Sequence, residues 1–120
     1  MPKILIVDDQ STFRAMLHES LLANGHEVWA TQENGGLNLF KDKKPDLVIL
    51  DRNLPQAART DLLKNIRKLD RKVKVIVLTA FTTQAKKAYS GQKVSAYFSK
   101  GAAVEDMLEA IKKALADAAR

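Results

Sequence analysis

Three short runs of almost purely apolar residues, each closed by a residue able to do chemistry, constrain this chain more than any other feature. Lys3-Ile4-Leu5-Ile6-Val7 leads directly into Asp8-Asp9, Asp46-Leu47-Val48-Ile49-Leu50 into Asp51, and the β-branched run Val73–Leu78 into Thr79. Apolar runs without polar alternation are what strands buried on both faces require. Amphipathic segments separate them. Thr12–Ala23, with Ser11 as its N-cap, gathers Phe13, Met16, Leu17, Ser20 and Leu21 on one face and stops at Asn24-Gly25. Gly36–Lys43 turns Leu37 and Phe40 inward and ends before Pro45, and Thr60–Leu69 is amphipathic through Leu62, Leu63, Ile66 and Leu69. Thr83–Ser90 reads as a short polar helix, and Val104–Ala118 as a final one burying Val104, Met107, Leu108, Ile111 and Leu115. Glu27–Thr31 and Ser95–Phe98 complete the strands. Met16 and Met107 read as core filler.

Strands alternating with helices along the whole chain imply an α/β fold, a doubly wound sheet of five parallel strands covered by five helices. Short right-handed crossovers leave the flavodoxin-like strand order 2-1-3-4-5 as the expected topology. The 120 residues suffice for one domain spanning 1–120, and 46% hydrophobic with 28% charged residues marks a globular chain. Cysteine is absent, which excludes disulfides, thiolate metal sites and cysteine nucleophiles. The apolar run at the N-terminus is too short for a signal peptide, and no stretch approaches the ~20 apolar residues of a membrane span. The expectation is a soluble, cytoplasmic protein. A net charge of +6 raises the question of nucleic acid, yet the basic residues are scattered, with local density only around Lys64, Arg67, Lys68, Arg71, Lys72 and Lys74. These read as solvated helix faces, with a docking surface for an acidic partner or nucleic acid as the alternative.

Ligands of such sheets bind at the carboxyl ends of the strands, where the strand order reverses. Here that point lies between the first and third strands, which end in Asp8-Asp9 and Asp51. Like charges so close repel, and a divalent cation is the simplest remedy; an all-oxygen, water-accessible site suits Mg²⁺. Thr79 and Lys100 reach the same rim from the fourth and fifth strands. A carboxylate nucleophile, a cation, a hydroxyl and an ammonium together are what phosphoryl transfer to a carboxylate needs. His18, in mid-helix, and His26, opening the second strand, lie away from this crevice and read as structural or surface residues.

The sequence resembles the receiver domains of two-component response regulators over essentially its whole length, including stand-alone receivers of the chemotaxis and phosphorelay kind. The matching segments are Ile4–Asp9, Pro45–Asp51, Leu54-Pro55, Val77–Ala80 and Tyr97–Lys100. The resemblance implies Asp51 as phosphoacceptor and Mg²⁺ ligand, Asp9 as a direct Mg²⁺ ligand, Asp8 holding the metal through water, and Asn53 offering it a backbone carbonyl. Thr79 and Lys100 would engage phosphoryl oxygens, Tyr97 would be an aromatic switch following Thr79, and Phe81 would tune loss of the phosphate. It further implies a phosphorylated signalling switch that assists its own phosphotransfer and dephosphorylation, not a dedicated turnover enzyme. The donor would be a histidine kinase or histidine phosphotransfer protein. Phosphorylation would alter the surface of the fourth helix, fifth strand and fifth helix toward a downstream target protein. No nucleic-acid or membrane binding is expected, and the state is a monomer or weak dimer.

Three departures from the family pattern stand out. Gln56-Ala57-Ala58-Arg59 replaces a glycine-containing turn, so a rebuilt loop is expected, with Arg59 adding positive charge beside the site. Lys100 precedes Gly101 where the family often has proline, so a trans bond is expected. Gln92–Ala96 departs from the usual approach to the fifth strand. Three rival readings share the fold. A flavin carrier lacks its glycine- and hydroxyl-rich phosphate loop, and an aspartyl phosphohydrolase commonly has a second acid where Asn53 stands. A phosphorylation-independent interaction module is kept open by the three departures.

Overall fold

The computed structural model describes residues 2–51, 56–78, 93–99 and 101–118, the side chains at 33, 56–61 and 117–118 excepted. In chain order the elements are β1 (Lys3–Val7), α1 (Ser11–Ala23), β2 (Glu27–Thr31), α2 (Glu33–Lys43), β3 (Leu47–Asp51), α3 (Gln56–Leu69), β4 (Lys74–Leu78), β5 (Ala96–Phe98) and α4 (Val104–Ala118). The strands form one sheet in the order β2-β1-β3-β4-β5, every pair parallel, as the alternation of elements implies. Of the five expected helices, the one over Thr83–Ser90 lies outside the described residues.

Strand parity divides the core in two. Leu5, Val7, Val48, Leu50, Val75 and Val77 face α2 and α3, meeting Phe40, Leu62, Leu63 and Ile66. Their neighbours Ile4, Ile6, Leu47, Ile49, Ile76 and Leu78 face α1 and α4, meeting Leu17, Leu21, Met107 and Ile111. Each such side chain contributes about 1.5–3 kcal/mol by leaving water. That two-sided burial is why the central strands read as unbroken apolar runs.

Local details refine the sequence reading. Helix α1 begins one residue early: the Arg14 N–H donates to the Gln10 carbonyl at 3.0 Å, so extended Gln10 is the N-cap and Ser11 is already helical. Its end is as expected. Gly25 adopts φ +85°, and the His26 N–H returns to the Leu21 carbonyl at 3.2 Å, closing the last turn. Helix α2 starts three residues before the expected Gly36. A Cβ on Gly36 would come within 3.2 Å of Leu62 and 3.3 Å of Val7, so glycine there permits close helix–sheet approach instead of breaking the helix. Residues 56–59 are helical, which moves the start of α3 to Gln56 and removes the expected need for positive φ at Arg59. Among the described non-glycine residues only Lys44 has positive φ, at the end of α2. Met16 is 36% exposed on the outer side of α1 and Leu69 is 52% exposed at the end of α3, so neither is core. Met107 is buried.

Candidate functional site

Strand register brings Asp8 and Asp51 together. Val7 pairs with Leu50, so the residues that follow stand level on adjacent strands about 4.8 Å apart. Both continue the parity of the α1/α4 side, Asp8 after Ile4 and Ile6, Asp51 after Leu47 and Ile49. Asp8 is 0% and Asp51 1% exposed, the only buried charged side chains among the described residues. Asp9, next along the chain, is exposed at the rim.

Asp8 is fixed at three points. Its N–H donates to the Thr31 carbonyl at 3.0 Å, extending the ladder toward β2. Its Oδ1 accepts the Gln10 N–H at 2.7 Å, and its carbonyl accepts from the Arg14 guanidinium, also at 2.7 Å. Arg14 was not singled out from sequence. A signal was present: it is a cation near the start of α1, where the helix dipole disfavours positive charge and no acidic residue accompanies it. Its contact with Asp8 explains the placement. Asp51 is anchored on its other side by pairing with Leu78, the residue before Thr79.

Tyr97 lies in edge strand β5, paired with Val77 and half-buried against the α2/α3 core. Burial raises its phenol above the ordinary value. Asn53, Thr79, Phe81 and Lys100 lie outside the described residues, as does the Lys100–Gly101 bond. His18 and His26 are both remote from the strand ends that carry the carboxylates, as expected. Burial lowers the His26 imidazole below its ordinary value.

The donor chemistry fits Mg²⁺. Asp8 and Asp51, buried at adjacent strand ends, are hard oxygen donors, and Mg²⁺ takes few carboxylates while keeping several waters. Among the described residues no three His, Asp or Glu side chains form a metal-holding cluster.

The sequence profile of the response regulator receiver domain matches residues 4–112. The chain belongs to this family. Sporulation initiation phosphotransferase F of Bacillus subtilis is 31% identical over 117 residues, covering 94% of this chain and 93% of that one. A CheY-like receiver domain protein from Methanospirillum hungatei superposes with a TM-score of 0.89 at 28% identity, covering 98% and 96% of the two chains. Response regulator TrrA of Thermotoga maritima, solved with Mg²⁺ and BeF, gives a TM-score of 0.82 at 29% identity over 95% of this receiver and 99% of that chain. Receivers of this family are signalling switches and not dedicated enzymes, which sets aside the flavin-carrier and phosphohydrolase readings. No described helix is long and apolar enough to cross a membrane.

Proposed function

We propose that residues 1–120 form one cytoplasmic receiver domain that accepts a phosphoryl group on Asp51 in a Mg²⁺-dependent reaction. The observation that carries this reading is the burial of Asp8 and Asp51 side by side at the strand ends where the sheet order reverses. A carboxylate oxygen of Asp51 attacks the phosphorus of a phosphohistidine on a histidine kinase or phosphotransfer protein. The phosphorus–nitrogen bond breaks and the imidazole leaves. Asp51 needs no activation by a base, because its carboxylate is already the nucleophile; the rest is positioning and charge neutralisation. Asp8, Asp9, Asp51 and the Asn53 carbonyl would hold Mg²⁺, which when bound supplies positive charge to the crowded carboxylates and to the transferred group. Arg14 keeps the Asp8 backbone in register for this task. Thr79 and Lys100, at the ends of the neighbouring strands, take the remaining phosphoryl oxygens. Their movement on phosphorylation is followed by Tyr97, altering the surface that a target protein reads.

Incubation with Mg²⁺ and acetyl phosphate, followed by intact mass, tests the proposal. A single phosphoryl adduct is expected, absent in EDTA and absent in Asp51→Asn. An adduct on Asp51→Asn at the same strand end would refute the assignment. A folded protein that takes no adduct from acetyl phosphate or from a phosphorylated kinase would support the interaction module instead.

A further inference from the structure

The excess positive charge of the chain is confined to one end. Segments 41–46 and 64–74 carry nine basic and three acidic residues, whereas the remainder carries eleven of each. These segments are the ends of α2 and α3 and the turns that lead into β3 and β4. The Lys74 N–H donates to the Asp46 carbonyl at 3.3 Å, joining the two turns at the amino edge of the sheet, opposite Asp8 and Asp51.

The few acids there are already engaged. Asp46 accepts the Lys3 N–H, Asp70 accepts the N–H groups of Lys72 and Val73, and Asp42 pairs with Lys43 at 3.3 Å. Lys41, Lys44, Lys64 and Lys68 are exposed, and Asp42–Lys43 is the only ion pair among the described residues. Between the helix ends lies a cavity of about 300 Å³ lined by Phe40, Lys41, Lys44, Leu69 and Asp70. A shallow cleft of about 440 Å³ lined by Lys64, Arg67, Lys68 and Arg71 occupies the same end of α3. Leu69, half exposed on a helix otherwise amphipathic, forms an apolar wall of the first.

We infer that this end of the molecule docks an acidic protein segment that places one apolar side chain against Leu69, in the cavity over the buried Phe40. An apolar centre within a cationic rim matches a peptide of acidic residues around an aliphatic or aromatic anchor. Nucleic acid fits less well: a phosphate backbone has no apolar group to set against the exposed Leu69, and neither cavity offers an exposed aromatic face for base stacking. The partner meets the edge of the sheet remote from Asp51, so docking leaves the carboxylate crevice open.

The probe is a fluorescent peptide rich in aspartate and glutamate with one central phenylalanine, titrated with the full chain and read by anisotropy. Saturable binding is expected, weakening steeply as salt rises. The double variant Lys41→Glu/Lys68→Glu should weaken it by about tenfold or more, and replacing the peptide's phenylalanine by serine by several-fold. Both substituted lysines are exposed, and circular dichroism with the phosphoryl-adduct assay checks that the fold and Asp51 are intact. Absence of binding, binding indifferent to the double variant, or binding indifferent to loss of the phenylalanine each overturns the inference. So does tighter capture of duplex DNA or of phosphatidylglycerol vesicles, either of which would assign the surface to another class of partner.

Discussion

The two edges of the sheet treat charge in opposite ways. At the carboxyl edge Asp8 and Asp51 are withdrawn from solvent on adjacent strands, while at the amino edge the lysines of α2 and α3 stand in water. Desolvating a carboxylate costs several kcal/mol unless its partners compensate, and two side by side cost more. Exposed lysines cost almost nothing and contribute almost nothing to stability. The acidic edge therefore holds desolvated charge that its partners must offset, and the basic edge holds charge that water already solvates.

The sharpest way to break this contrast is to remove one buried negative charge. In EDTA, Asp51→Asn is expected to stabilise the fold by about 1–3 kcal/mol, read by urea unfolding, since it relieves repulsion without changing volume. Saturating Mg²⁺ should stabilise the unmodified protein by binding the folded state alone, and the variant should lose most of that gain. Destabilisation of the variant in EDTA would mean that the carboxylate is held by favourable contacts stronger than its repulsion from Asp8.

Most of the acidic edge was legible in the sequence because strand burial leaves a one-dimensional mark. A run such as Ile4–Val7 has to be followed by whatever occupies the strand end, so the pattern alone places Asp8 and Asp51 at strand ends. The strand order and all five strands followed from the same pattern. Features that depend on how elements approach one another were not legible. Gly36 looked like a helix start, but it sits inside α2 because Leu62 and Val7 leave no room for a side chain. Leu69 has the spacing of a core residue, yet it is the last residue of α3 and stands 52% exposed. The sequence pattern implies a strained turn at Arg59, and the earlier start of α3 removes that need. Charge at the amino edge was visible as composition, but its concentration at one pole needed the packing of α2 on α3.

A second test concerns a cation of the basic edge that is held by backbone carbonyls and not simply solvated. The Arg67 guanidinium donates to the carbonyls of Val73, at 2.6 Å, and Lys93, with longer contacts to Asp70 and Arg71 at 3.5 and 3.4 Å. It thus ties the end of α3 to the segments leading into β4 and β5. Burial lowers its pKa, opposed by Asp70. Arg67→Ala should cost about 1–3 kcal/mol, because it leaves backbone acceptors without their charged donor. Lys64→Ala and Lys68→Ala should stay within about 0.5 kcal/mol. Equal effects at all three positions would erase the distinction between a structural and a solvated cation.

The smallest effect is expected from a half-buried titratable group at the amino edge. His26 precedes β2 at this edge; its Nδ1 is buried and makes no hydrogen bond among the described residues. Desolvation lowers its pKa from the ordinary 6.5, so the unfolded chain takes up the proton more readily than the folded one. The contribution of neutral His26 to stability is therefore complete above 6.5 and is lost as pH falls through that value to the lower folded one. Unfolding free energy measured across this range should decline toward acid more steeply in the unmodified protein than in His26→Gln, which has no proton to gain. Parallel profiles would show that this edge accommodates a buried positive charge as readily as its exposed ones, and the contrast between the two edges would then rest on the carboxylates alone.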